Sequence, residues 1–148
     1  MPVTATPIFV QAPYIAATSL AAQTACTTRG PTATANLAAA NIIQIVPTST
    51  NGLRIDSIQV NACSTSFTAP TAGNIVGIWI WDGTTAFLFT EILVTAVTPS
   101  TTVAGFTTTL TFANPLVLPS TFKLFASVSV TTTASTTALQ VCAMGGSY

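Results

Sequence analysis

Between Val103 and Ala113 the chain alternates: Phe106, Leu110 and Phe112 fall on one parity and Thr107, Thr109 and Thr111 on the other. A period of two marks a strand with one face on a core and one face outside it, and threonine suits the outer side of such a pleat. Phe122, Leu124, Ala126, Val128 and Val130 repeat the pattern, as do Leu139, Val141 and Ala143 near the C-terminus. Threonine is the commonest residue of the 148 and is interleaved with Val, Ile, Leu and Phe almost throughout. Helix signals are confined to Ala33 to Ala40, and the β-branched run Ile42, Ile43, Ile45, Val46 that follows favours a strand ending at Pro47. Strands that are apolar on one face need a second layer to cover them, and with helix signals nearly absent that layer is expected to be another sheet.

The remaining strands follow from turns and parity. Thr48 to Gly52 is a turn that feeds Leu53 to Ala62. There the apolar parity switches, from Leu53 and Ile55 to Ile58, Val60 and Ala62, so a β-bulge is expected near Asp56 and Ser57. Ile75 to Trp81 is apolar on both parities and reads as buried on both faces. Asp82-Gly83 between two apolar runs is a strong hairpin signal, making Ile75 to Trp81 and Ala86 to Val97 antiparallel neighbours through a type I′ turn, with both strands mostly enclosed. A turn is expected at Pro115 to Pro119 and a polar loop at Thr131 to Thr137. The expected fold is therefore all-β: a jelly-roll-like antiparallel β-sandwich of seven or eight strands over residues 36–148.

Residues 1–35 lack clean alternation and read as an extended N-terminal arm. Pro2, Pro7 and Pro13 interrupt it, so it cannot build its own core, yet Ile8, Phe9, Tyr14 and Ile15 need burial. Those four residues are the candidate assembly contacts, expected to lie on a neighbouring subunit.

Charge narrows the function. Only 4% of the residues are charged, against about 25% in ordinary soluble domains. Arg29, Arg54 and Lys123 balance Asp56, Asp82 and Glu91, and histidine is absent. Little Coulomb repulsion opposes contact between identical molecules, so a homo-oligomer, a trimer, is expected. Three cations cannot form the basic footprint that nucleic acid requires. Mean hydropathy is +0.67, but no run approaches the roughly 18 apolar residues of a membrane helix. A membrane β-barrel is disfavoured by missing Lys and Arg at the interfaces and by Met1 to Tyr14, which lacks the basic and apolar regions of a secretory signal. Synthesis and assembly in a host cytoplasm, with no membrane partner, are expected.

Catalytic chemistry finds few residues to use. Without histidine there is no Ser-His-Asp or Cys-His site, and general acid–base work would fall to three carboxylates. Asp82 belongs to the hairpin turn, Asp56 sits beside Arg54, and Glu91 is expected to pair with Lys123 or an arginine. Cys26, Cys63 and Cys142 are odd in number and far apart, with no metal-ligand spacing; a Cys63–Cys142 bridge is left open. Trp79 and Trp81 share a parity, which suits either core packing or a sugar platform, and core packing is favoured because Ile78 and Ile80 occupy the other face. No cofactor, no metal site and no enzymatic activity are expected.

One ordered set of segments carries a resemblance over about residues 50–148: Asn51-Gly52-Leu53-Arg54-Ile55-Asp56-Ser57-Ile58, then Ile78-Trp79-Ile80-Trp81-Asp82-Gly83-Thr84, then Glu91-Ile92-Leu93-Val94-Thr95 with Pro99-Ser100, then Leu116-Val117-Leu118-Pro119 and the closing Ala143-Met144-Gly145-Gly146-Ser147-Tyr148. In these the chain resembles small virion-associated proteins of tailed bacteriophages, the head decoration, cement and fibre-like proteins. It departs from them in its few charges and in Cys63 and Cys142. The resemblance implies a β-sandwich subunit, often trimeric, on a capsid or tail, with no active-site residues to carry over. The expected function is a capsid decoration or cement protein that stabilises a phage head by bridging subunits of the major capsid protein, located in the virion. The alternatives are a receptor-binding fibre or baseplate module recognising host glycans, a jelly-roll capsid protein in its own right and, last, an isolated enzyme.

Overall fold

The computed structural model describes residues 12–33, 36–37, 41–66 and 71–148. Its strands are β1 (Ala12–Leu20), β2 (Thr32–Ala33), β3 (Ile42–Val46), β4 (Leu53–Ala62), β5 (Asn74–Trp81), β6 (Thr85–Val94), β7 (Thr107–Leu118), β8 (Lys123–Val128) and β9 (Leu139–Ser147). They form two antiparallel sheets, ordered β1-β9-β4-β7 and β2-β6-β5-β8-β3. Apart from the two-residue β2, each strand pairs with its counterpart counted from the other end of the chain: β1 with β9, β3 with β8, β4 with β7 and β5 with β6. One long hairpin rolled up in this way is a jelly roll, the expected fold.

The core lies between the sheets. Ile55, Ile58 and Val60 of β4 and Val141 and Ala143 of β9 face Val76 and Ile78 of β5 and Leu124, Ala126 and Val128 of β8, all fully buried. Each large aliphatic side chain so enclosed contributes roughly 1.5–3 kcal/mol of burial free energy. The sheet of β2, β6, β5, β8 and β3 also carries a smaller apolar cluster on its outer face: Trp79, Ile42, Ala86 and Phe125, with Cys26 and Leu37 packed against it. Trp79 is 1% exposed and its indole N–H donates to Ser127 Oγ at 2.9 Å. Both faces of β5 are thus occupied, as its unbroken apolar run predicts.

The segment read as an arm is different over its described part. Residues 12–20 form β1, which pairs with β9 from Ala12 opposite Ser147 to Leu20 opposite Leu139. Residues 32–33 form β2 on β6. Between them the chain crosses the outer face of the second sheet, held where the Cys26 N–H donates to the Val128 carbonyl at 2.7 Å and the Thr132 N–H to the Gln23 carbonyl at 2.9 Å. The Thr132 hydroxyl donates to the Leu20 carbonyl. The sandwich therefore does not begin near residue 36; β1 is one of its eight principal strands. Its alternation is faint in the sequence because the inward positions are Tyr14, Ala16, Thr18 and Leu20, two of them small or polar.

Three local features complete the frame. Asp56 is an extra residue on β4 between Ile55, opposite Gly145, and Ser57, opposite Met144, so the expected bulge is present. A Cβ on Gly145 would lie 1.8 Å from the Arg54 carbonyl oxygen, which is why the bulge faces glycine. On the other side of β4 the same irregularity absorbs residues 112–115, so β7 runs through Pro115 and the turn comes later, where the Phe122 N–H donates to the Pro119 carbonyl at 3.0 Å. The β5–β6 hairpin forms, but its loop residues are Gly83 and Thr84, and only Gly83 (φ 109) has positive φ; a type I′ turn would need it at both. Asp82 Oδ1 takes the Thr84 and Thr85 N–H groups, each at 2.8 Å.

Candidate functional site

All six charged side chains are engaged in local structure. Arg29 Nε donates to Glu91 Oε1 at 2.7 Å, holding the crossing segment to β6. Arg54 Nε donates to Asp56 Oδ1 at 2.7 Å beside the bulge. Lys123 Nζ sits 4.7 Å from the centre of the Trp81 ring. The backbone N–H groups of Thr85 and Thr84 hold the Asp82 carboxyl below its ordinary range. Glu91 does pair with an arginine, as expected. Both ion pairs are substantially exposed, and each is worth about 0–1 kcal/mol. Among the described residues no three His, Cys, Asp or Glu side chains are grouped as metal ligands.

The cysteines are free and partly buried. The Cys63 N–H donates to the Ala138 carbonyl at 3.0 Å, while Cys142 lies opposite Gln59, four residues further along β9. That offset is about 13 Å along a strand, well beyond the roughly 7 Å Cα separation a disulfide spans. The Cys63–Cys142 bridge left open by the sequence is incompatible with this register. Burial pushes the Cys63 thiol above its ordinary value, so it is a poor nucleophile.

Two uncovered regions stand out on the surface of the described residues. The first is the outer face of the β1-β9-β4-β7 sheet. Register places Ile15, Met144, Ser57 and Thr111 in one row across it, Ala17, Cys142, Gln59 and Thr109 in the next, and Ser19, Gln140, Asn61 and Thr107 in a third. None of these twelve side chains is charged. Of the candidate contacts read from sequence, Ile15 stands on this face and is 74% exposed. Tyr14 points the other way and packs against the core, and burial raises its hydroxyl pKa. Ile8 and Phe9 lie outside the described residues.

The second is the flank where one sheet ends on β7 and the other on β6, which the two-residue β2 covers only in part. The sequence reading encloses β6, but Phe87, Phe89 and Leu93 are 45%, 43% and 67% exposed. Register explains two of them. Ile78 faces Thr90 and Trp79 faces Leu88, so Phe89 is the extra residue of a bulge. Phe87 faces Ile80, a core-packing residue, yet β2 covers β6 only at Thr85 and Ala86. The Phe89 ring meets the half-buried Phe112 of β7 at 5.9 Å between centroids, tilted by 51°.

The β7 edge carries a further signal that parity alone could not give. The Ala62 N–H donates to the Phe106 carbonyl at 2.8 Å. In an antiparallel ladder such bonds join directly opposed residues at every second position, so Phe106, Thr108 and Leu110 turn their backbone groups toward β4. Thr107, Thr109 and Thr111 turn theirs to the outer edge, where no strand pairs among the described residues. Their side chains are exposed as well.

A cavity of about 130 Å³ lies under the crossing segment, between Thr28, Trp79, Ser127 and the Arg29–Glu91 pair. The tryptophans do not form an open platform: Trp79 is enclosed and Trp81 holds Lys123. No family model, curated protein or solved structure matches this chain.

Proposed function

We propose that this chain is a structural virion protein, a decoration or cement subunit that lies on a phage head and bridges neighbouring copies of the major capsid protein, acting without a cofactor or catalytic step. The observation that carries the reading is the outer face of the β1-β9-β4-β7 sheet, where three successive rows are uncharged with exposed Ile15 at their edge, and the charge of the adjoining row is confined to the Arg54–Asp56 ion pair. With its one pair of opposite charges joined to each other, such a face has little net field to steer or repel a partner and associates through apolar contact and neutral hydrogen bonds. The jelly roll is compatible with this, being used by viral capsid proteins, but it is also used by lectins and enzymes, so the face and the resemblance carry the argument rather than the fold. Glycan recognition by a fibre module draws no support from Trp79 and Trp81, since neither offers a free ring face.

The test is mass spectrometry and imaging of purified particles made with the native chain, with Ile15→Asp and without the gene. The expected result is the protein in stoichiometric amount on the head, retention reduced about tenfold or more by Ile15→Asp as a charge is buried in the contact, and particles that break at lower temperature without it. Absence of the protein from purified particles would refute the reading.

A further inference from the structure

We propose that two copies of this chain pair β7 to β7, antiparallel, about a two-fold axis at Thr109, joining their four-stranded sheets into one of eight strands. The free edge of β7 is self-complementary in that register. Thr109 faces Thr109 of the second copy and Thr107 faces Thr111, and these are the residues whose backbone N–H and C=O groups point outward, so every opposed pair exchanges both of its hydrogen bonds. Their side chains meet as Thr–Thr pairs, a favourable cross-strand combination. An isologous contact of this kind needs one patch that fits itself, and this edge does.

Charge and apolar surface point to the same partner. Proteins that keep edge strands apart place Lys or inward charges on them, but no charged residue occurs anywhere from Ile92 to Phe122. The protective devices here, Pro115 and the irregularity at residues 112–115, lie beyond Thr111 and leave Thr107 to Thr111 in unbroken register. Just inside the edge stand Phe87, Phe89 and Phe112, two of them more than two-fifths exposed. The two-fold axis brings this patch against its copy, so the hydrogen-bonded seam and the aromatic contact form together. The pairing holds for the chain free of any particle and so goes beyond the virion role. It closes at two copies, whereas the resemblance implies three.

Light scattering on the full chain over a concentration series, with Thr109→Lys, Thr109→Cys and the β1-edge control Ser19→Lys, decides the matter. A dimer is expected for the native chain and for Ser19→Lys, with Thr109→Lys raising the dissociation constant about tenfold or more because like charges then stand directly opposed. Hydrogen-bonded antiparallel pairs hold their Cα atoms about 5.5 Å apart, within disulfide reach. Mild oxidation should therefore cross-link Thr109→Cys, and not the native chain with its three free cysteines, into a covalent dimer that reduction releases. A native chain that stays monomeric, or an oligomer indifferent to Thr109→Lys with Thr109→Cys uncross-linked, overturns the pairing. Particle binding is read separately, so loss of one property with the other intact shows which proposal failed.

Discussion

On one flank of the sandwich β1 and β3 close the gap between the sheets, the Thr18 hydroxyl donating to the Gln44 carbonyl at 3.3 Å above buried Leu20, Ile45 and Val46. On the other flank β6 and β7 meet through the tilted Phe89 and Phe112 rings, and Phe87 and Phe89 stay exposed. Glu91 of β6, paired with Arg29, is the one charged residue in the strands of either flank, so charge does little to separate them. What separates them is whether the chain itself supplies a cover. Among the described residues the first flank is finished by β1 and the second has no such cover, which is where we propose that a second copy docks.

If that contrast is right, injury to the closed flank should cost far more than the same injury to the open one. Deleting residues 1–20 removes a whole strand from β9 and Leu20 from the core, and no cooperative unfolding transition should remain by calorimetry. A truncated chain that still melts sharply would mean that β1 is an accessory. Gly145→Ala, in the strand between β1 and β4, should destabilise by about 3 kcal/mol, since the new methyl meets a carbonyl oxygen and neither backbone can yield easily. Denaturant titration would measure this.

The sharper comparison uses two large-to-small changes. Leu20→Ala should cost about 3 kcal/mol. Phe112→Ala should cost about 1–2 kcal/mol in the dilute chain, because its ring is only half-buried, and Thr109→Ala close to nothing. Equal losses for Leu20 and Phe112 would show that the open flank is already closed in solution. The smallest effect concerns Asp82. Its folded-state pKa is depressed by the Thr85 and Thr84 N–H groups, so its contribution is full above the unfolded carboxylate range and fades as pH falls through the lowered folded value. Melting temperature should be flat from about pH 7 to 5 and fall below about pH 4, with a smaller fall in Asp82→Asn.

Much of this architecture is legible in the sequence, for reasons that also explain what is not. Parity along Leu139, Val141 and Ala143 locates a core face because burial follows the pleat, and the parity switch at Asp56 locates a bulge because an extra residue must break that pleat. The Arg54–Asp56 pair is visible because its members are neighbours on one strand. Arg29 and Glu91, by contrast, meet only because the crossing segment returns over β6. The exposure of Phe87 and Phe89 is equally hidden: alternation says which face a residue takes, not which strand ends the sheet. The β1 strand is obscured by its small inward residues, and the free edge of β7 by the fact that backbone direction has no counterpart in composition.

The central claim is that this protein associates through uncharged surfaces. Its most direct test is retention on purified particles across a salt series from low to about molar, set beside a denaturant series. Surface attraction between charges is screened over about 8 Å at physiological ionic strength, whereas apolar burial is unaffected or strengthened by excluded salts. The account predicts constant or slightly higher occupancy through the salt series and release only by denaturant. Release by modest salt alone would contradict it and would place the contact on Arg29, Arg54 or Lys123.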